Sequence, residues 1–118
     1  MNWSATGAFL LALAVVLGAF GAHGLRNRLD AYSLSVWEKA VFYQGIHAVL
    51  LYLLASRNPL QTGPWCLFAV GILLFSGSLY VLAVGRVRWL GAITPLGGVG
   101  FLLGWAWLLL TAGTKTQG

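Results

Sequence analysis

Nine charged side chains are all that interrupt this sequence, and their positions leave four long uncharged tracts. Arg26, Arg28, Asp30, Glu38, Lys39, Arg57, Arg86, Arg88 and Lys115 bound tracts at residues 3–25, 40–56, 58–85 and 89–114. A helix rises 1.5 Å per residue, so about 20 residues cross a ~30 Å hydrocarbon layer. The first, third and fourth tracts reach that length unaided. The second reaches it if its helix starts earlier, within "SVWEKAVFYQGIHAVLLYLLAS". With 59% hydrophobic and only 8% charged residues, the chain holds about a third of the charge of an ordinary globular protein. Its mean hydropathy is +0.84, and such a chain needs lipid as its solvent. The expected fold is all-α: a four-span transmembrane helical bundle, up-down-up-down, forming one integral membrane domain over residues 1–118. The spans are expected at about 3–25, 36–56, 65–85 and 89–112.

The formal charge of +5 does not point to nucleic acid, because the basic residues lie in short clusters between apolar runs and form no stripe. Juxtamembrane arginine and lysine follow instead from the positive-inside rule. Loops 1 and 3 share one side and carry Arg26, Arg28, Lys39, Arg86 and Arg88, against Arg57 and Lys115 opposite. That bias predicts loops 1 and 3 in the cytoplasm and both termini outside, in a plasma membrane. No positive n-region precedes the first tract, so it is expected to stay as a mature span. Cys66 is the single cysteine, so no intrachain disulfide forms.

Local signals refine this outline. Ser35 and Glu38 fit an S-x-x-E capping box, which would start helix 2 there and make Glu38 a cap. Leu25, Leu29, Tyr32 and Val36 recur at helical spacing and predict a short amphipathic segment on the membrane surface in the first loop. "SRNPLQTGPW", residues 56–65, reads as the loop between helices 2 and 3. Trp3, Trp37, Trp65 and Trp89 near helix starts, with Trp105 and Trp107 near the last helix end, predict two aromatic belts. Pro95, placed one to two turns into helix 4, predicts a kink.

Lipid gives helices no hydrophobic reason to associate, so small residues must let their backbones approach closely. Gly18, Gly21 and Gly24 on helix 1 and Gly97, Gly100 and Gly104 on helix 4 are the expected packing positions, and "FSGSLY", residues 75–80, is a small hydroxyl-bearing patch on helix 3. Ionisable groups inside a membrane are costly and call for an explanation. His23 falls at headgroup depth, whereas Tyr43, Gln44 and His47 share one face of helix 2 and are expected to form one hydrogen-bonded cluster in the bundle interior. Two histidines about 10 Å apart in depth, with neither carboxylate nor cysteine beside them, predict no metal site. With only Asp30 and Glu38 as acids, both near an interface, no catalytic set is expected, nor any cofactor.

"GAFGAHGL", then Trp37, Ala40, Tyr43, Gln44, His47 and Ala48, and the late "TPLGG" with "GFLLGW" closely resemble the YgdD-like family of small multi-spanning membrane proteins, domain of unknown function 423. The likeness runs from helix 1 to Trp105, and the motif positions are Gly18, Gly21, His23, Gly24, Tyr43, Gln44, His47, Pro95, Gly97, Gly98 and Gly104. It implies a four-helix protein of the bacterial inner membrane and no established activity. The functional expectation is a non-enzymatic accessory, assembly or scaffold protein. Its partners would be membrane lipid and a homo-oligomer or larger membrane complex. The alternatives are a small homo-oligomeric conduit or carrier for protons or a small solute, and a lipid- or quinone-binding protein.

Overall fold

A computed structural model of the chain describes residues 2–57 and 61–115. Over these residues the protein is all-helical, with four long helices and no strand. Helix α1 is Trp3–His23, α2 is Ala31–Ala55, α3 is Thr62–Gly85 and α4 is Thr94–Lys115. A 3-10 segment at Arg88–Ala92 precedes α4. Helices α1, α3 and the fourth, taken with its 3-10 lead, are long and apolar enough to cross a membrane. Their outward residues fit that reading: Val15 is 67% exposed, Leu102 71% and Leu109 73%. Water would oppose so much exposed hydrocarbon, and lipid does not.

Helix α2 falls short on hydropathy for a reason visible in its packing. It is the most polar of the four, carrying Ser33, Glu38, Lys39, Gln44 and His47, and it is about as buried as α3. Contacts of Gly7 with Tyr52, Gly18 with Val41 and Gly21 with Trp37 set α1 antiparallel to α2. Ala40 with Ser76 and His47 with Phe68 do the same for α2 and α3. Gly63 with Trp107 and Gly97 with Phe75 do so for α3 and α4. One apolar cluster gathers Leu25, Val36, Trp37, Ala40, Leu79 and Ala83 near the first and third loops. A second gathers Leu51, Leu54, Trp65, Phe68, Ile72 and Phe101 toward the other end. Gln44, His47 and Ser76, all buried, lie between the two clusters along α2 and α3.

Several expectations are corrected. The Ser35–Glu38 capping box is not formed; Asp30 is the N-cap, accepting from the Ser33 amide at 2.7 Å. Ser35 and Glu38 therefore sit inside α2. Aspartate caps as well as serine does, and the buried contacts of Leu25 and Val36 favour the earlier start. For the same reason there is no separate amphipathic segment on the membrane surface: residues 24–29 form turns, and Tyr32 and Val36 belong to α2. The Ser33 amide above all, then its hydroxyl, hold the Asp30 carboxyl below its ordinary value of 3.8; desolvation opposes them, and the nearby Arg86 adds a lesser lowering effect.

Pro95 lies in the first turn of α4 and not one to two turns inside it. Its missing N–H costs nothing there, so the chain breaks between the 3-10 segment and α4 instead of kinking. Thr94 secures the break, donating to the Leu90 carbonyl at 3.3 Å and sharing a hydrogen bond with Ser78. Two of the belt tryptophans are also corrected. Trp37 is 6% exposed and donates to the Leu17 carbonyl at 2.9 Å; Trp65 is 9% exposed and packs edge-to-face with Trp3. The interhelix loop expected at residues 56–65 is shorter, since α3 starts at Thr62, and its residues 58–60 lie outside the described residues.

Candidate functional site

The middle of α3 is a π turn, Ile72–Ser76, flanked by α-helix on both sides. Such turns insert one residue and re-aim the side chains around them. Here Ser76 donates to the Ala40 carbonyl at 2.8 Å across a buried α2–α3 seam. One turn on, Tyr80 donates its hydroxyl to Gln44 Oε1 at 2.7 Å and sets its ring 4.8 Å from that of Trp37. Gln44 Nε2 in turn donates to the Leu10 carbonyl on α1 at 2.7 Å. One glutamine thus ties three helices together, with both ends of its amide engaged.

His47 works in a second network. Its ring lies 3.8 Å from that of Phe101 with a 5° interplanar angle, and Phe68 and Trp105 stand 5.5 and 6.0 Å away. Nδ1 is 2.8 Å from the Tyr43 carbonyl, and Trp105 Nε1 is 3.1 Å from Nε2. A carbonyl only accepts and an indole N–H only donates. The two contacts are therefore satisfied together by one species, the neutral imidazole with its proton on Nδ1. In that state no ring nitrogen is left to take or deliver a proton without breaking a bond.

The three residues predicted to form one hydrogen-bonded cluster are thus divided. Gln44 faces α1 and α3, His47 faces α3 and α4, and Tyr43 contributes its backbone carbonyl while its ring, 37% exposed, packs 4.8 Å from Phe75. His23 is exposed as the last residue of α1. Among the described residues, no three metal-ligating side chains come together. Trp105, Tyr80, Phe101 and Trp37 belong to the site as much as the predicted residues do. The sequence alone places Trp105 and Trp37 in belts and Tyr80 in the small patch of α3.

The packing glycines have specific partners. A Cβ on Gly97 would run into the Phe75 backbone, one on Gly104 would meet the Phe68 ring at 2.7 Å, and one on Gly100 the Leu67 carbonyl at 3.3 Å. On α1, a Cβ added at Gly21 would lie 2.6 Å from the Trp37 ring and one at Gly18 3.2 Å from Val41. Gly24 differs from the expectation: a Cβ added there would meet the Phe20 ring of the same helix end at 2.6 Å, so it is a local contact and not a helix–helix one. A Cβ added at Gly7, absent from the predicted set, would meet the Tyr52 amide nitrogen at 2.7 Å.

The family called Protein of unknown function (DUF423) matches this chain over residues 17–98, a stretch that runs from Leu17 of α1 through the polar layer to the start of α4. The chain belongs to the DUF423 family. Its similarity to curated members extends over most of the sequence. It is 51% identical to the UPF0382 membrane protein SSP2132 of Staphylococcus saprophyticus, over 92% of each chain. It is 45% identical to the UPF0382 membrane protein YwdK of Bacillus subtilis, over 90% of this chain and 91% of that one. No solved structure matches. The resemblance drawn from the three sequence motifs is thereby shown, and this DUF423 chain is a membrane protein whose relatives carry no assigned activity.

Proposed function

We propose that this DUF423 protein is a non-enzymatic accessory, assembly or scaffold subunit of a bacterial plasma membrane, spanning it four times. The observation that carries this is the engagement of the polar groups in its central layer, whereas the buried Trp65 indole nitrogen, nearer one end of the bundle, has no hydrogen-bond partner among the described residues. Gln44 uses both ends of its amide, His47 both ring nitrogens, and Ser76 and Trp37 their donors, each on another helix or its backbone. Groups committed in this way hold helices in register and are poorly placed for proton relay or acid–base chemistry. The outward faces of α1 and α4 are left apolar for lipid or for other membrane helices. Chemical cross-linking in the membrane, followed by mild detergent extraction, tests the proposal. A homo-oligomer or a defined co-purifying membrane partner is expected; a bare monomer under both conditions counts against it.

The four-span topology includes α2 as a span. Its 25 residues extend about 37 Å, so the end bearing the exposed Glu38 and Lys39 reaches headgroup depth while Gln44 and His47 stay inside. The charge bias then favours loops 1 and 3 on the cytoplasmic side. In a Cys66→Ser background, Arg57→Cys is expected to react with a membrane-impermeant maleimide from outside intact cells, and Arg28→Cys only after permeabilisation. The opposite pattern overturns the orientation, and equal labelling of both from outside overturns the fourfold crossing.

A further inference from the structure

A groove of about 410 Å³ opens where the start of α2 meets the link between α3 and α4. Asp30, Tyr32 and Ser33 line it from α2, Leu82 and Arg86 from the end of α3, and Arg88 and Gly91 from the 3-10 segment. We infer that this groove binds the phosphate of an anionic phospholipid headgroup.

Its charge balance is two guanidinium groups against one carboxylate. That carboxylate is already engaged, accepting from the Ser33 amide and from Arg86 Nη2 at 3.2 Å. An arginine presents five N–H donors in a planar fork suited to phosphate oxygens, so Arg86 keeps most of its donors. The Arg88 side chain has no hydrogen bond or ion pair among the described residues. Arg86 holds a left-handed backbone, φ 55° and ψ 36°, as the C-cap of α3. Glycine or asparagine usually takes that place; here an arginine does, and its side chain lines the groove.

The depth of the groove fits a lipid. Leu82 gives it an apolar wall, and it sits at the end of a helix whose Val81 and Val84 are exposed. Tyr32, which lines it, and Trp89, the residue after Arg88, are 71% and 67% exposed and carry the amphipathic rings that settle at headgroup level. A Cβ added at Gly91 meets nothing within 4 Å, so the 3-10 segment leaves room for a ligand. Fixed cationic charge at this depth attracts anionic lipid, and the paired forks give the phosphate a definite seat.

The test is native mass spectrometry of the detergent-purified chain with equimolar phosphatidylglycerol and phosphatidylcholine. Wild type is expected to retain phosphatidylglycerol about 5-fold or more in preference, roughly the effect of one juxtamembrane arginine or greater. Arg86→Gln with Arg88→Gln should bring the ratio near parity, and so should Gly91→Asp, which places a carboxylate in open space. Arg26→Gln with Arg28→Gln should leave the ratio unchanged. Unchanged preference in the first pair overturns the site, and equal loss in the second pair reduces it to general charge. Displacement of the lipid by millimolar inorganic phosphate overturns the lipid as its ligand.

Discussion

Replacing Gly97 with alanine is expected to destabilise the folded chain by about 1–3 kcal/mol, the range for forcing an extra carbon into a packed contact. The new methyl would run into the Phe75 amide nitrogen and lie 2.8 Å from the Phe75 Cα. These are backbone atoms within the π turn, so they cannot swing aside as the tip of a side chain does. Helix α4 must move instead, taking Phe101 and Trp105 away from His47. Gly77, two residues further along α3, is the matched control, because nothing lies within 4 Å of its added Cβ. Gly77→Ala should be neutral or stabilising, by up to about 1 kcal/mol from helix propensity alone. Denaturation by a graded ratio of anionic to neutral detergent measures both variants. Equal midpoints would show that the Gly97 contact does not set the α3–α4 spacing.

The sequence made some of this architecture readable because lipid narrows the choices. Charge had to lie at tract ends, so the helices could be placed within a few residues. Gly97, Gly100 and Gly104 repeat along one face of α4 and could be read as a packing stripe, and all three meet α3. Gly7, Gly63 and Gly71 pack as closely, against Tyr52, Trp107 and Phe101. Those contacts are set by helix register, which a single sequence does not contain. The same limit separates Gln44 and His47 from their partners. Both could be recognised as costly polar groups within an apolar tract, yet Tyr80 and Trp105 are 36 and 58 residues away. Tryptophan misled for another reason: an indole suits a headgroup belt and a buried donor site equally, and only the nearby Leu17 carbonyl separates the two for Trp37. Two start signals competed for α2, and burial of Leu25 and Val36 against α3 selected Asp30. The hydropathy of α2 is lowered by Glu38 and Lys39, exposed near its start, and by Gln44 and His47, which bond to neighbouring helices.

Gln44 and Tyr80 are expected to behave as one unit. Gln44→Leu keeps most of the volume but leaves the Tyr80 hydroxyl without its acceptor and the Leu10 carbonyl without its added donor. Tyr80→Phe removes the other half of the 2.7 Å bond and leaves Gln44 Oε1 unpaired in a site only 2% exposed. Each single change should cost about 1–3 kcal/mol, since an orphaned buried polar group costs more than its bond contributes. In the double variant no orphan remains on this bond, so its cost should fall short of the sum. Interhelical hydrogen bonds within membranes average about 0.6 kcal/mol and reach about 1.7 kcal/mol; coupling in that range is the expected result of a double-mutant cycle. Gln44→Glu should be worse than Gln44→Leu, because it puts a second acceptor against the Leu10 carbonyl where an N–H donor stood. Strict additivity of Gln44→Leu and Tyr80→Phe in the same detergent titration would mean that the bond does not fasten α2 to α3. Ser76, donating to the Ala40 carbonyl, would then be the polar fastening between α2 and α3 in this layer.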